Sequence, residues 1–172
     1  MKRVLLLGSP GAGKSTFARK LASLISLPVI HLDRYRNDSS LGYSDDLEAW
    51  EQMVKLRMAE PEWIMDGNYS STIAARIERA DIVFLFQYAR WRAFLGLLRR
   101  RIEYHSKARE DMPDGWRERV DFGFLRFVWD FNKRYVTSKL ATAMKDCPPE
   151  KLVIFKNPRD VKRYLQTMKI NR

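Results

Sequence analysis

Val4-Leu5-Leu6-Leu7-Gly8-Ser9-Pro10-Gly11-Ala12-Gly13-Lys14-Ser15-Thr16 is the stretch on which the fold turns. Four apolar residues ending at a glycine read as a short strand buried on both faces of a parallel sheet. Residues 8 to 15 match G-x-x-x-x-G-K-[ST] in full, and helical spacing follows from Ser15 to Ile25. A loop of this kind curls successive backbone N–H groups inward onto phosphate oxygens, with the positive end of the following helix behind them. Gly8, Gly11, Ala12, Gly13, Lys14, Ser15 and Thr16 are therefore candidates to hold a nucleotide. Lys14 is placed to reach the β- and γ-phosphates of ATP, and the Ser15 hydroxyl to ligate Mg²⁺. Thr16 either assists at a phosphate or caps the helix.

Similar apolar runs recur at Pro28 to Leu32, Trp63 to Met65, Ile82 to Phe86 and Leu152 to Phe155. Between them lie helical patterns over Leu47 to Met58, Ser71 to Arg79, Trp91 to Tyr104, Glu118 to Met144 and Arg159 to Met168. Strand alternating with helix predicts crossover connections and a parallel sheet covered on both faces, an α/β fold whose ligands bind beyond the carboxyl ends of the strands. The 172 residues fit one domain of ordinary size, and no linker or repeat divides them.

The composition, 45% apolar and 31% charged, excludes collagen-like and disordered classes. No apolar run approaches the roughly 18 residues of a membrane span, and the start lacks a signal-peptide core, so a cytoplasmic location is expected. A single cysteine, Cys147, allows no internal disulfide, and with two histidines zinc chemistry is remote. The net charge of +11 is unevenly placed. Residues 1–30 carry +5, residues 31–81 carry −5 and residues 82–172 carry +11. Basic segments around an acidic middle suit a cleft that gathers phosphates while acids manage a metal.

Two acids stand at strand ends. Asp66 closes the third strand beside the phosphate loop, where a carboxylate holds a Mg²⁺-bound water, making Ser15 and Asp66 the metal pair. Asp33 ends the second strand and is a candidate to receive the proton of an acceptor hydroxyl or to assist at the metal. Strand alternation puts His31 on the same face as Asp33, as a hydrogen-bonded histidine. Arg99, Arg100 and Arg101 end a helix and fan over about 200°, so they complement its negative end while at least one is expected to face the site; which of the three does so stays open, and Arg101 is taken as the catalytic candidate.

With the phosphate loop on the first strand and Trp63-Ile64-Met65-Asp66-Gly67-Asn68-Tyr69 opening the third βα connection, the chain resembles the adenylate-kinase-related P-loop kinases. Within them it is most similar to the bacterial DNA topology modulation (FlaR-like) group, through His31-Leu32-Asp33, the arginine cluster and Arg109-Glu110-Asp111-Met112-Pro113. The resemblance implies a three-layer P-loop NTPase fold with a five-stranded parallel sheet in the order 2-3-1-4-5. It also implies a lid over residues 105–119 and an acceptor-side segment over residues 34–60. Arg109 resembles the lid arginines that close over the transferred phosphate, and Asp66 matches the Asp-Gly of the nucleotide kinases. Their Pro-Arg pair is replaced by Asn68-Tyr69-Ser70, which weakens AMP as acceptor and leaves Arg76 to compensate. In the loop after the last strand, Asn157 is a candidate to meet the base through its main chain.

From Phe122 to Tyr135 aromatic residues mingle with Arg126, Lys133 and Arg134, a pattern of core or subunit packing more than of a nucleic-acid platform. The expectation is an ATP- and Mg²⁺-dependent phosphotransferase acting on a small acceptor such as a nucleoside or nucleotide, monomeric or homodimeric. The contrary expectation is a nucleotide-gated module that binds DNA, RNA or protein and hydrolyses ATP weakly.

Overall fold

A computed structural model of the chain describes residues 1–103, 112–113, 123, 126, 129–130, 140–145 and 147–170. Five strands form one parallel sheet: β1 (Arg3–Gly8), β2 (Val29–His31), β3 (Trp63–Asp66), β4 (Ile82–Phe86) and β5 (Leu152–Phe155). Their order is β2-β3-β1-β4-β5, as the resemblance implied. The helices are α1 (Lys14–Ile25), α2 (Leu32–Asn37), α3 (Leu47–Ala59), α4 (Ile73–Arg79), α5 (Arg90–Glu103), α6 (Leu140–Met144) and α7 (Pro158–Ile170). Among the described residues no helix is long and apolar enough to cross a membrane.

Alternation along the strands sorts the core into two layers. Val4, Leu6, Ile64, Phe84 and Phe86 pack on one face beneath Phe17, Ala18 and Leu21 of α1, with Val161, Tyr164 and Leu165 of α7. Leu5, Leu7, Met65, Val83 and Leu85 meet Trp50, Met53 and Val54 of α3 and Ile73 and Ile77 of α4 on the other. Phe17 anchors the first layer edge-to-face against Phe84, Phe86 and Phe155 at centroid distances of 5.0, 5.5 and 5.5 Å, geometry that adds to what burial alone gives. Register then fixes the site. His31 stands opposite Asp66 across β2 and β3, Leu6 opposite Asp66 across β1 and β3, and Gly8 opposite Phe86 across β1 and β4.

At the opposite end of the sheet Asp81 ties β1 to β4. Its carboxylate accepts hydrogen bonds from the backbone N–H groups of Lys2 and Arg3 at 2.7 and 3.0 Å, and from the Arg3 guanidinium at 2.6 Å. Burial pushes the Asp81 carboxyl up, but these donors outweigh it and bring its pKa to about 2. A depressed carboxylate stabilises the fold above its unfolded pKa of about 4, and that contribution is lost as pH falls toward 2. Asp81→Ala is expected to lower unfolding stability by about 1–2 kcal/mol at pH 7 after allowance for solvent screening. Urea denaturation should show a smaller difference at pH 3, and an equal one would contradict the linkage.

The second strand is shorter than its apolar run suggests. Leu32 opens α2, so Asp33 lies in the first turn of a helix and not at a strand end. Asp66 is the last residue of β3, so the ladder offers no partner beyond His31, and an acid in the first turn suits the helix dipole. The shared face expected for His31 and Asp33 is lost with that turn. The expected lid over 105–119 lies outside the described residues except for Met112 and Pro113, as does most of the aromatic helix.

Candidate active site

The phosphate loop bends through left-handed or otherwise positive φ at Gly8, Gly11 and Gly13, and Gly13 caps α1 in that conformation. The Lys14 ammonium is held by the carbonyls of Gly8 and Ser9 at 3.0 and 3.1 Å, inside the curl of the loop. Ser15 Oγ donates to Asp66 Oδ2 at 2.7 Å, and His31 Nδ1 lies 3.3 Å from the same oxygen. Burial pushes the Asp66 carboxyl up, yet the His31 hydrogen bond, the Lys14 charge and the Ser15 hydroxyl prevail and hold it below the usual carboxylate range. Asp66 is therefore an anion in a buried place.

These residues fit a hydrated Mg²⁺. Asp66 Oδ1 is buried with no hydrogen-bond partner, an acceptor left for one more ligand. Among the described residues no group of three or more His, Cys, Asp or Glu could enclose a metal. One hydroxyl and one carboxylate are the sparse protein contribution expected of an ion whose remaining ligands are water and phosphate.

Two residues that sequence reasoning did not single out complete the loop. Asn68 accepts from the Gly8 N–H and donates to the Gly8 carbonyl, both at 2.9 Å, clamping the third βα connection to the end of β1. Gly96, midway along α5, lets that helix lie directly on the loop. A Cβ at Gly96 would come within 2.0 Å of the Gly11 carbonyl oxygen, and one at Gly11 within 2.4 Å of the Ala93 carbonyl oxygen. The available signal was a glycine inside a helical pattern, which marks close packing.

A cavity of about 970 Å³ opens from Gly11, Ala12, Gly13 and Thr16 between α1, α5 and α7, with Tyr88 and Arg99 among its walls. Of the arginine cluster, Arg99 thus borders the site, while the Arg101 side chain and all of Arg109 lie outside the described residues. Asn157 is drawn into capping α7: its Oδ1 accepts from the N–H groups of Arg159 and Asp160 at 2.9 and 3.3 Å. The neighbouring Pro158, at the start of the helix, lines the cavity.

Between the second and third βα connections, Tyr69 donates its hydroxyl to Asp33 Oδ1 at 2.8 Å. Burial first, and the Asp33 charge second, push the Tyr69 phenol well above its ordinary range, so it stays a donor. Arg76 does not compensate for the missing Pro-Arg. It is fully buried and donates to the carbonyls of Gly67 and Tyr69, both at 2.6 Å, and to Thr72 Oγ1 at 3.1 Å. Its work is to hold the third βα loop, whose carbonyls lack strand partners.

No protein-family profile matches the chain, nor does any curated protein. Solved structures do. A shikimate kinase from Bacteroides thetaiotaomicron superposes with a TM-score of 0.60 at 16% identity, over 98% of this chain and 96% of that one. The fold is that of the P-loop NTPases. A deoxyadenosine kinase from M. mycoides with bound dATP gives a TM-score of 0.54 at 14% identity over the whole of both chains. A gluconokinase from Sinorhizobium meliloti gives 0.54 at 13% over 97% and 89%. These neighbours are P-loop kinases, and at such identities the likeness is one of fold. None of them bears on the finer grouping with DNA topology modulation proteins.

Proposed function

We propose that the chain is an ATP-dependent phosphotransferase that moves the γ-phosphoryl group to a small acceptor. The observation that carries this is the Ser15–Asp66 hydrogen bond of 2.7 Å at the mouth of a complete phosphate loop with Lys14 inside it. Phosphoryl transfer asks a protein for position and charge more than for covalent chemistry. Lys14 brings positive charge to the β- and γ-phosphates, and the loop amides hold the tail in line. Ser15 and Asp66 are the residues that would hold Mg²⁺, which when bound neutralises charge on the β- and γ-oxygens. His31 keeps Asp66 oriented. Arg101 and Arg109 remain proposed partners of the transferred group. The structural neighbours named for shikimate, deoxyadenosine and gluconate support a small-molecule acceptor in kind.

Calorimetry with ATP and Mg²⁺ tests the binding, and γ-labelled ATP with a panel of nucleosides, nucleotides and small alcohols tests the transfer. Binding below millimolar and label on an acceptor are expected. Absence of any nucleotide binding at millimolar concentration would overturn the proposal. So would tight duplex DNA binding that switches with ATP while no acceptor is labelled, which is the behaviour of a gated module. Weak, steeply salt-dependent and ATP-indifferent adhesion to DNA reflects the +11 charge alone.

A further inference from the structure

The cavity between α1, α5 and α7 is larger than a nucleoside. In the kinase reading the 5′ phosphates lie in the curl of the loop around Lys14, which is not among the cavity walls, so the nucleoside alone enters from the side of Gly11, Gly13 and Thr16. A nucleoside has about twenty non-hydrogen atoms, and at even the roughly 30 Å³ that a water molecule claims in the liquid these fill about 600 Å³. A cavity of about 970 Å³ keeps room for one more polar group. We propose, resting on the kinase reading above, that this room takes a phosphate carried on a secondary hydroxyl of the ribose. Nucleosides phosphorylated both on the 5′ oxygen and on the 2′ or 3′ oxygen then occupy the cavity in competition with ATP.

The walls beyond the loop carry the charge for it. Both α1 and α7 follow parallel strands and run back from the loop side by side, joined through Phe17 and Tyr164. Lys20 stands one turn past Thr16 on α1 and Lys162 one turn past Pro158 on α7, each roughly 6 Å further along its helix, and both line the cavity. Gln166 adds an amide one turn beyond Lys162, above the half-buried Leu24 and Leu165. Cations on a surface helix are ordinarily balanced by acids one turn away. Here α1 contains no acid, and α7 contains only Asp160, whose carboxylate is turned to the N–H groups of Lys156 and Asn157 at 2.8 and 3.1 Å. Lys20 and Lys162 therefore face one cavity without counter-charge from their own helices, and a phosphate between them offsets the like-charge repulsion. Lys169 lines the far end as well, but in the last turn of α7 a cation suits the helix dipole, so its place is explained without a ligand.

Displacement of labelled ATP from the full chain, with Mg²⁺ at physiological ionic strength, tests the assignment. Adenosine 3′,5′-bisphosphate or its 2′,5′ isomer should displace ATP at a concentration about tenfold or more below that needed by AMP, which differs only in lacking the ribose phosphate. In the double variant Lys20→Gln, Lys162→Gln that ratio should fall to about one. In Arg163→Gln, which removes an exposed cation of α7 outside the cavity, the ratio should persist. A ratio near one for both isomers in the parent protein would overturn the inference and leave the kinase reading standing. An equal fall in Arg163→Gln would overturn it too, tracing the preference to net charge. Failure of labelled ATP to bind would remove the kinase reading and this inference together.

Discussion

Lys14→Ala is expected to lower phosphoryl transfer by about a thousandfold with the fold intact. The ammonium lies between the Gly8 and Ser9 carbonyls at 3.0 and 3.1 Å, already within the loop and beside the buried Asp66 anion. In the proposed transfer a charge placed beforehand would meet the migrating phosphoryl group without a reorganisation step, and this is where electrostatic catalysis draws its size. The core does not depend on it: both apolar layers are built from other residues. Single-turnover rates measured against an identified acceptor check the loss, with circular dichroism for the fold. A rate within tenfold of the parent protein would mean that the loop does not grip the transferring phosphates.

Gly96→Ala is the second large effect, and its sign is the informative part. In a helix interior alanine normally stabilises by about 1 kcal/mol over glycine. In α5 the added Cβ would sit 2.0 Å from the Gly11 carbonyl oxygen, a backbone atom that cannot rotate away. The helix must lift or the loop must deform. We expect a net loss of about 2 kcal/mol in stability and at least about a tenfold loss in ATP affinity, since the Gly11 peptide belongs to the proposed phosphate cradle. Thermal denaturation and calorimetry read both. A variant that melts higher and binds ATP unchanged would show that α5 does not bear on the loop.

The parts of the fold that sequence disclosed are those encoded locally. Apolar runs of three to five residues marked all five strands, and the glycine pattern placed the phosphate loop on the first. What escaped depends on distance. Whether Leu32 continued β2 or began α2 was decided by the length of β3, more than thirty residues away, because a strand ends where its ladder partner does. Asn68 reaches Gly8 across 60 positions, and nothing in its neighbourhood announces the clamp. Arg76 was read as a cation available to a substrate. It is instead drawn inward by carbonyls in a turn that has neither helix nor sheet to satisfy them. In the site, Ser15 and Asp66 meet as their positions implied, whereas the bond from Tyr69 to Asp33 needed coordinates to be seen.

The backbone contact between Gly11 and Gly96 has a mechanical side. Side chains normally cushion two packed elements, yielding through their torsions before the main chains move. Here no such buffer stands between a carbonyl and a helix backbone, so α5 and the loop are geared tooth to tooth. From Gly96 to the far end of α5 is roughly 10 Å, and a tilt of about 10° about the contact swings that end by roughly 2 Å. A shift of the Gly11 peptide would therefore have to be taken up by α5 as a whole, whose far end is Glu103.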